Sequence, residues 1–135
     1  MSLLYEELTD KILGACLEVY NQLGCGFLEA VYSDALEFEF ELMNIPYKKE
    51  KDYYITYKGK RFSKYYKVDF LCFDKIIIEI KAVESILPIH KQQVFNYLRL
   101  SDLKLGFVIN FGSTSLQWQR VPNLYTKTVN PSNPY

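Results

Sequence analysis

Apolar residues recur at spacings of four or three in the first segment. Leu8, Ile12, Cys16, Val19 and Leu23 form one stripe, which predicts a helix over 4–22. The run NQLGCGF breaks it, with Gly24 and Gly26 as natural stops. A second stripe, Leu28, Val31, Ala35, Phe38 and Leu42, predicts a helix over 27–43. Asn44-Ile45-Pro46 ends it, because proline drives the residue before it out of helical geometry. The period then changes to two. In DYYITYKGKRF, Tyr53, Ile55 and Tyr57 alternate with Tyr54 and Thr56, as in a strand. Lys58-Gly59-Lys60 reads as a turn into a second strand over 62–73. KIIIEIKAV gives a third strand over 75–83, so continuously apolar and β-branched that it belongs at the centre of a sheet. Pro88 precedes a third helix over 89–100, with Val94, Phe95 and Leu98 as apolar contacts. LGFVINFG (105–112) and LQWQRV (116–121) are two further strands. The Pro-, Asn- and Ser-rich end predicts a flexible tail over 124–135, leaving 1–123 as the folded unit. The order is α-α-β-β-β-α-β-β, one α/β domain with a sheet packed against helices.

Composition bounds the class. A chain of 135 residues fits one domain, and 49% hydrophobic residues supply a core. The three cysteines are odd in number and widely spaced, with no C-x-x-C. That argues against a disulfide framework or a zinc site and for a reducing compartment. No basic leader precedes an apolar core, and no apolar run approaches the ~18 residues of a membrane span. The expectation is a cytoplasmic protein without a membrane partner.

The formal net charge of zero conceals an asymmetry. Residues 1–44 hold one base and nine acids, a net of −8. Residues 45–67 hold eight bases and two acids, a net of +6. Local fields matter more to a polyanion than the total does. Tyr53, Tyr54, Tyr57, Tyr65 and Tyr66 lie among those bases, an interleaving that suits stacking on unpaired nucleotides. A solvated hairpin face is the plainer reading of the same stretch. Trp118 reads as packing.

One strand pair carries the candidate chemistry. Asp69, Leu71 and Phe73 are expected on one face of the second strand, and Val68, Phe70 and Cys72 on the other. Ile77, Glu79 and Lys81 share a face of the third. A three-residue loop, Phe73-Asp74-Lys75, puts Cys72 across from Ile76 and Asp69 across from Glu79. A two-residue turn would instead set Asp69 against Ile80 and send Glu79 to the other face. Two adjacent carboxylates on a half-buried sheet cannot both stay charged unless a cation intervenes. Oxygen-only donors suit Mg²⁺ or Mn²⁺. Lys81, on the same face, could orient a water or stabilise developing charge. Spacing alone leaves a second reading open, a salt bridge from Lys81 to either carboxylate.

Asp69 followed by Glu79-Ile80-Lys81 resembles the PD-(D/E)xK signature of restriction-endonuclease-like nucleases. GFLEAVY matches G-x-x-E-x-x-Y through Gly26, Glu29 and Tyr32. HKQQVFNYL contains Q-x-x-x-Y through Gln93 and Tyr97. With LGFVINFG, these motifs run in the expected order over residues 5–121 and resemble the GxxExxY protein family, a branch of that superfamily. Val68 stands where the superfamily motif has Pro. Lys67 stands where the family leads one to expect Arg, which keeps the charge but not the hydrogen-bonding fork.

The resemblance implies a restriction-endonuclease-like single domain, a mixed central β-sheet flanked by helices. It implies a metal-dependent nuclease hydrolysing phosphodiester bonds in DNA. The alternative is a catalytically inactive nucleic-acid-binding or protein-interaction module of the same fold. Asp69, Glu79, the backbone carbonyl of Ile80 and Glu29 would hold Mg²⁺ or Mn²⁺. Lys81 would join Asp69, Glu79 and Glu29 as the catalytic lysine. Gln93, Tyr97, Tyr32 and Lys67 would contact the substrate. Nucleic acid is the implied partner. Many nucleases of this fold pair to cut two strands, so a homodimer is one implied assembly. From the residues themselves, Glu29 shares a helix face with Tyr32, Leu36 and Phe40 and is expected to point toward protein, or to sit as a carboxylate favoured by the helix N-terminus. Gln93 and Tyr97 share one helix face, and alone they read as a core tyrosine beside an exposed amide. His90 reads as structural.

Overall fold

The computed structural model describes residues 3–124. Eight elements follow in the expected order: α1 (Glu6–Leu23), α2 (Glu29–Leu42), β1 (Tyr47–Tyr57), β2 (Lys60–Cys72), β3 (Ile76–Lys81), α3 (Pro88–Ser101), β4 (Leu105–Asn110) and β5 (Gln117–Pro122). The strands form one sheet in sequence order. Neighbours are antiparallel except β3 and β4, which run parallel and are joined through α3. The sheet is therefore mixed. The tail expected over 124–135 lies, from residue 125 on, outside the described residues. Among the described residues no helix is long and apolar enough to cross a membrane.

Two cores form, one on each face of the sheet. On one face α1 and α2 bring Ile12, Cys16, Leu36 and Phe40 against Phe70, Ile78, Ile80 and Ile109. On the other, Val94, Tyr97 and Leu98 of α3 meet Leu71, Ile77 and Val108. The apolar residues of β3 and β4 are all buried, so these strands need no alternation of apolar and polar positions.

The turns decide the register. Lys58 (φ 50°) and Gly59 (φ 76°) link Tyr57 to Lys60 as a two-residue turn with positive φ at both positions. Cys72 pairs with Ile76 across a three-residue loop in which Phe73 and Asp74 also take positive φ. That loop sets the register needed to bring Asp69 toward Glu79.

Two expectations fail. The buried face of α2 is Tyr32, Leu36 and Phe40, while Leu28, Val31, Phe38 and Leu42 of the expected stripe are exposed. Both sets have helical spacing, so periodicity cannot choose between them; ring packing does. Tyr32 stacks on Phe111 at 4.7 Å, and Phe40 meets Phe70 edge-on at 5.2 Å. The second failure is the alternation of β2. Val68 was expected to share a face with Phe70 and Cys72, but it packs with Leu71 under α3. The β1–β2 pairing passes from Lys49↔Phe70 to Lys51↔Val68 with no pair at Glu50 and Asp69, and Glu50 has a φ of 57°. The strand is irregular at Asp69, which releases that residue from the ladder.

Candidate active site

The site is built where the β2–β3 ladder stops. Its last recorded pair is Phe70↔Ile78. Beyond it the carboxylate of Asp69 takes the place of a ladder partner, as Oδ2 accepts the Ile80 N–H at 2.6 Å. Successive residues of β3 point to opposite faces. Ile78 and Ile80 therefore enter the core under α1 and α2, and Ile77 and Glu79 turn toward α3.

Glu79 is 6% exposed, and its Oε2 has no hydrogen-bond partner. Burial pushes its carboxyl well above the ordinary range, to about 9. The negative charge of Asp69 and a proton shared with it push the same way, and Glu29 adds a smaller push. Only Lys81 opposes them. Lys81 is half-buried at the end of β3. Among the described residues no salt bridge joins it to Asp69 or Glu79. The closed ion pair that spacing left open is not formed.

From α3, Tyr97 reaches the same place. Burial raises its phenol first, and the charges of Glu79 and Asp69 raise it further. A hydrogen bond from Gln93 works in the opposite direction. His90 stays out of the site: its Nδ1 accepts the Leu87 N–H at 3.0 Å, which caps α3.

Two residues stand elsewhere than expected. Tyr32 was expected at the substrate but is fully buried. Its hydroxyl donates to the Gly24 carbonyl at 2.5 Å and accepts the Phe27 N–H at 3.2 Å, so it closes the α1–α2 loop. Lys67, also expected at the substrate, pairs with Asp52 across the β1–β2 hairpin at 2.8 Å, with its Nζ 5.7 Å from the Tyr65 ring centre. Glu29 does not point toward protein but is exposed at the start of α2, the second of its two expected readings, a carboxylate at a helix N-terminus. It shares a face with Tyr32, yet it is the first residue of α2, beyond the end of the packed core. It acts on Glu79 through its charge.

The donor set fits a hard divalent cation in part. Asp69 and Glu79 offer two carboxylates, one with a buried oxygen that lacks a partner. Among the described residues no group of three or more His, Cys, Asp or Glu lies close enough to hold a metal together, so Glu29 does not complete a protein cage. Mg²⁺ is commonly held by one or two carboxylates, with water and phosphate oxygens filling its shell.

Sequence reasoning missed Asn110 and Gly112. Asn110 is fully buried. Its Nδ2 donates to the Val83 carbonyl at 2.9 Å, and its Oδ1 accepts the N–H groups of Val83 at 2.9 Å and Gly112 at 3.0 Å. A Cβ on Gly112 would collide with the backbone of Val83. Phe111 adds an N–H to the Lys81 carbonyl at 2.8 Å. Together these bonds fasten the chain just after Lys81 to the end of β4. The signal was legible in VINFG, where a polar Asn closes an apolar strand and Gly follows two residues on.

Comparison with curated proteins finds no match. Among solved structures, the crystal structure of SSO0001 aligns with a TM-score of 0.56 at 22% identity, covering 91% of this chain and 59% of that one. At that identity the likeness is one of fold: a mixed five-stranded sheet flanked by helices, the restriction-endonuclease-like arrangement. The chain spans 59% of the length of that protein. A sequence profile described as the PD-(D/E)XK nuclease superfamily matches residues 6–121, from the start of α1 into β5. On that match over nearly all of its length, the chain belongs to the PD-(D/E)XK nuclease superfamily.

Proposed function

We propose that this protein is a metal-dependent nuclease that hydrolyses phosphodiester bonds in DNA, and that it falls in the GxxExxY branch of its superfamily. The observation that carries the proposal is Glu79: a buried carboxylate oxygen without a partner, beside a second carboxylate. Such a pair is costly in an empty fold and suits a cation. Mg²⁺ or Mn²⁺ bound there would polarise a phosphoryl oxygen and lower the pKa of a coordinated water.

The chain's own residues divide the remaining work. Asp69 and Glu79 would hold the ion, the Ile80 carbonyl would add a backbone ligand, and Glu29 would contribute through its charge. Lys81, unpaired with either carboxylate, would position the attacking water and offset negative charge as it develops. Tyr97 keeps its phenolic proton, since its pKa is raised, and can donate it to a phosphate oxygen beside Gln93. The basic stretch 48–67 supplies phosphate contacts that do not depend on base sequence. A homodimer would place two such sites on a duplex, one for each strand.

A second reading is a nucleic-acid-binding module of the same fold that does not cut. One experiment separates the two. Linear and circular duplex DNA, single-stranded DNA and RNA are incubated with Mg²⁺, Mn²⁺ or EDTA, with Glu79→Ala in parallel. Metal-dependent cutting lost in the variant supports the nuclease. Cutting retained in Glu79→Ala removes it, and binding without cutting favours the second reading.

A further inference from the structure

A cleft of about 340 Å³ opens between the β1–β2 hairpin and α3. On the hairpin side it is lined by Tyr66 and by Ile55 at the bulge between Tyr54 and Thr56. On the helix side it is lined by Asn96, Arg99 and Leu100. We propose that this cleft is a stacking subsite for one unpaired nucleobase, and that the substrate of the neighbouring carboxylates is therefore single-stranded or locally unpaired nucleic acid. The inference rests on the nuclease reading for the identity of its ligand, and on the cleft itself for its chemistry.

Tyr66 is 43% exposed, so part of its ring faces solvent. Its ring leans on that of Tyr97, centroids 5.6 Å apart and planes 53° to each other. Tyr97 in turn feels the charge of Glu79 and Asp69. The cleft is thus one aromatic contact removed from the carboxylate pair. A flat π-face is the surface on which any base can stack. Asn96 offers an edge to read: its Oδ1 already accepts the Gln92 amide at 3.0 Å, which leaves its Nδ2 to donate.

The surroundings favour a polyanion as the natural occupant. The hairpin above the cleft carries Lys58, Lys60, Arg61 and Lys64, a field that concentrates a polyanion. Duplex DNA keeps its bases stacked, and a base must leave that stack to enter such a cleft. The β1–β2 register shifts where the cleft lies: between Tyr54↔Tyr65 and Thr56↔Arg61, Ile55 stands against three residues of β2, Phe62, Ser63 and Lys64.

The test is equilibrium binding by fluorescence anisotropy of the whole chain in EDTA, where nothing is cut. Three labelled probes are compared: a single-stranded oligothymidylate, its duplex with oligoadenylate, and a strand of equal length with abasic sugars in its middle. The wild type is expected to prefer the intact single strand over both others by on the order of tenfold. Tyr66→Ala should bring all three probes to one affinity, and Asn96→Ala should move them the same way if Tyr66→Ala fails to fold. Lys64→Ala should weaken all three equally, as loss of a phosphate contact does. Equal wild-type affinity for the intact and abasic strands overturns the subsite, as does tighter binding of the duplex. Oligodeoxyuridylate and oligouridylate arms, alike but for the 2′-hydroxyl, name the sugar: tighter binding of either strand, with the same dependence on Tyr66, supports the subsite. Since no step needs cleavage, failure of the nuclease reading would show in the cutting assay and leave this result standing.

Discussion

The Asp69 carboxylate accepts the Ile80 N–H at 2.6 Å, so a candidate metal ligand also finishes the backbone bonding of the next strand. Structure and chemistry are coupled through one side chain. Asp69→Asn keeps an oxygen for that bond and removes the charge; it should fold normally and lose metal binding. Asp69→Ala leaves the Ile80 N–H without its partner, a cost of about 1–3 kcal/mol. The cost should be read from urea melts near ~pH 5, where a protonated Glu79 no longer repels its neighbour. Calorimetric titration with Mn²⁺ completes the comparison. Equal stability of the two variants would show that the bond contributes nothing.

Glu79 should make the metal-free protein sensitive to alkali. Its carboxyl has a reference pKa of 4.5 and sits at about 9 in the fold. Between those values the folded chain keeps a proton that the unfolded chain has released. Stability from this group is complete below 4.5 and drains away as the pH climbs toward 9. Thermal melts in EDTA should show Tm falling through that window, with the fall reduced in Glu79→Gln. Mg²⁺ should restore Tm at the upper end, because a cation then replaces the proton. An identical pH slope in wild type and Glu79→Gln would contradict this account.

Lys81 separates catalysis from folding. It is half-buried and joined to neither carboxylate, so Lys81→Met should fold and still bind Mn²⁺. Cleavage should fall by about a hundredfold or more, the scale for losing one positioned stabiliser of developing charge. Single-turnover rates at saturating DNA measure this directly. A loss confined to DNA affinity would instead make Lys81 a phosphate contact.

The clamp at Asn110 should behave as a unit. Asn110→Ala strips partners from the N–H and C=O of Val83 and the N–H of Gly112, which should cost about 3 kcal/mol or more. Gly112→Ala drives a Cβ into the Val83 backbone and should be comparably severe. Urea melts give the loss in stability, and amide exchange at Val83 should accelerate in both variants. Because the clamp anchors the chain just after Lys81, residual cleavage should drop with it.

The sequence by itself determined the element order and the central place of β3, and it narrowed the register of Asp69 against Glu79 to two loop lengths. Each followed from a local rule: the spacing of apolar residues, a continuous β-branched run, and the pairing that each loop length dictates; the folded hairpin, with Cys72 paired to Ile76, chose between the two. The motif residues on β2, β3 and α3 were legible through the resemblance of their motifs to a known family, since period and spacing alone left a salt bridge and a core tyrosine as open readings. Tertiary structure decided the rest. It chose the Tyr32–Leu36–Phe40 face of α2 over an equally periodic rival, because ring packing against Phe70 and Phe111 is a contact between distant segments. It broke the alternation at Asp69, took Tyr32 and Lys67 away from the site, and left Glu29 at the surface. It also made Asn110 the anchor of Val83, a bond spanning 27 positions. Periodicity carries information about neighbours along one element; which elements meet, and which buried atom is left without a partner, is set by packing in three dimensions.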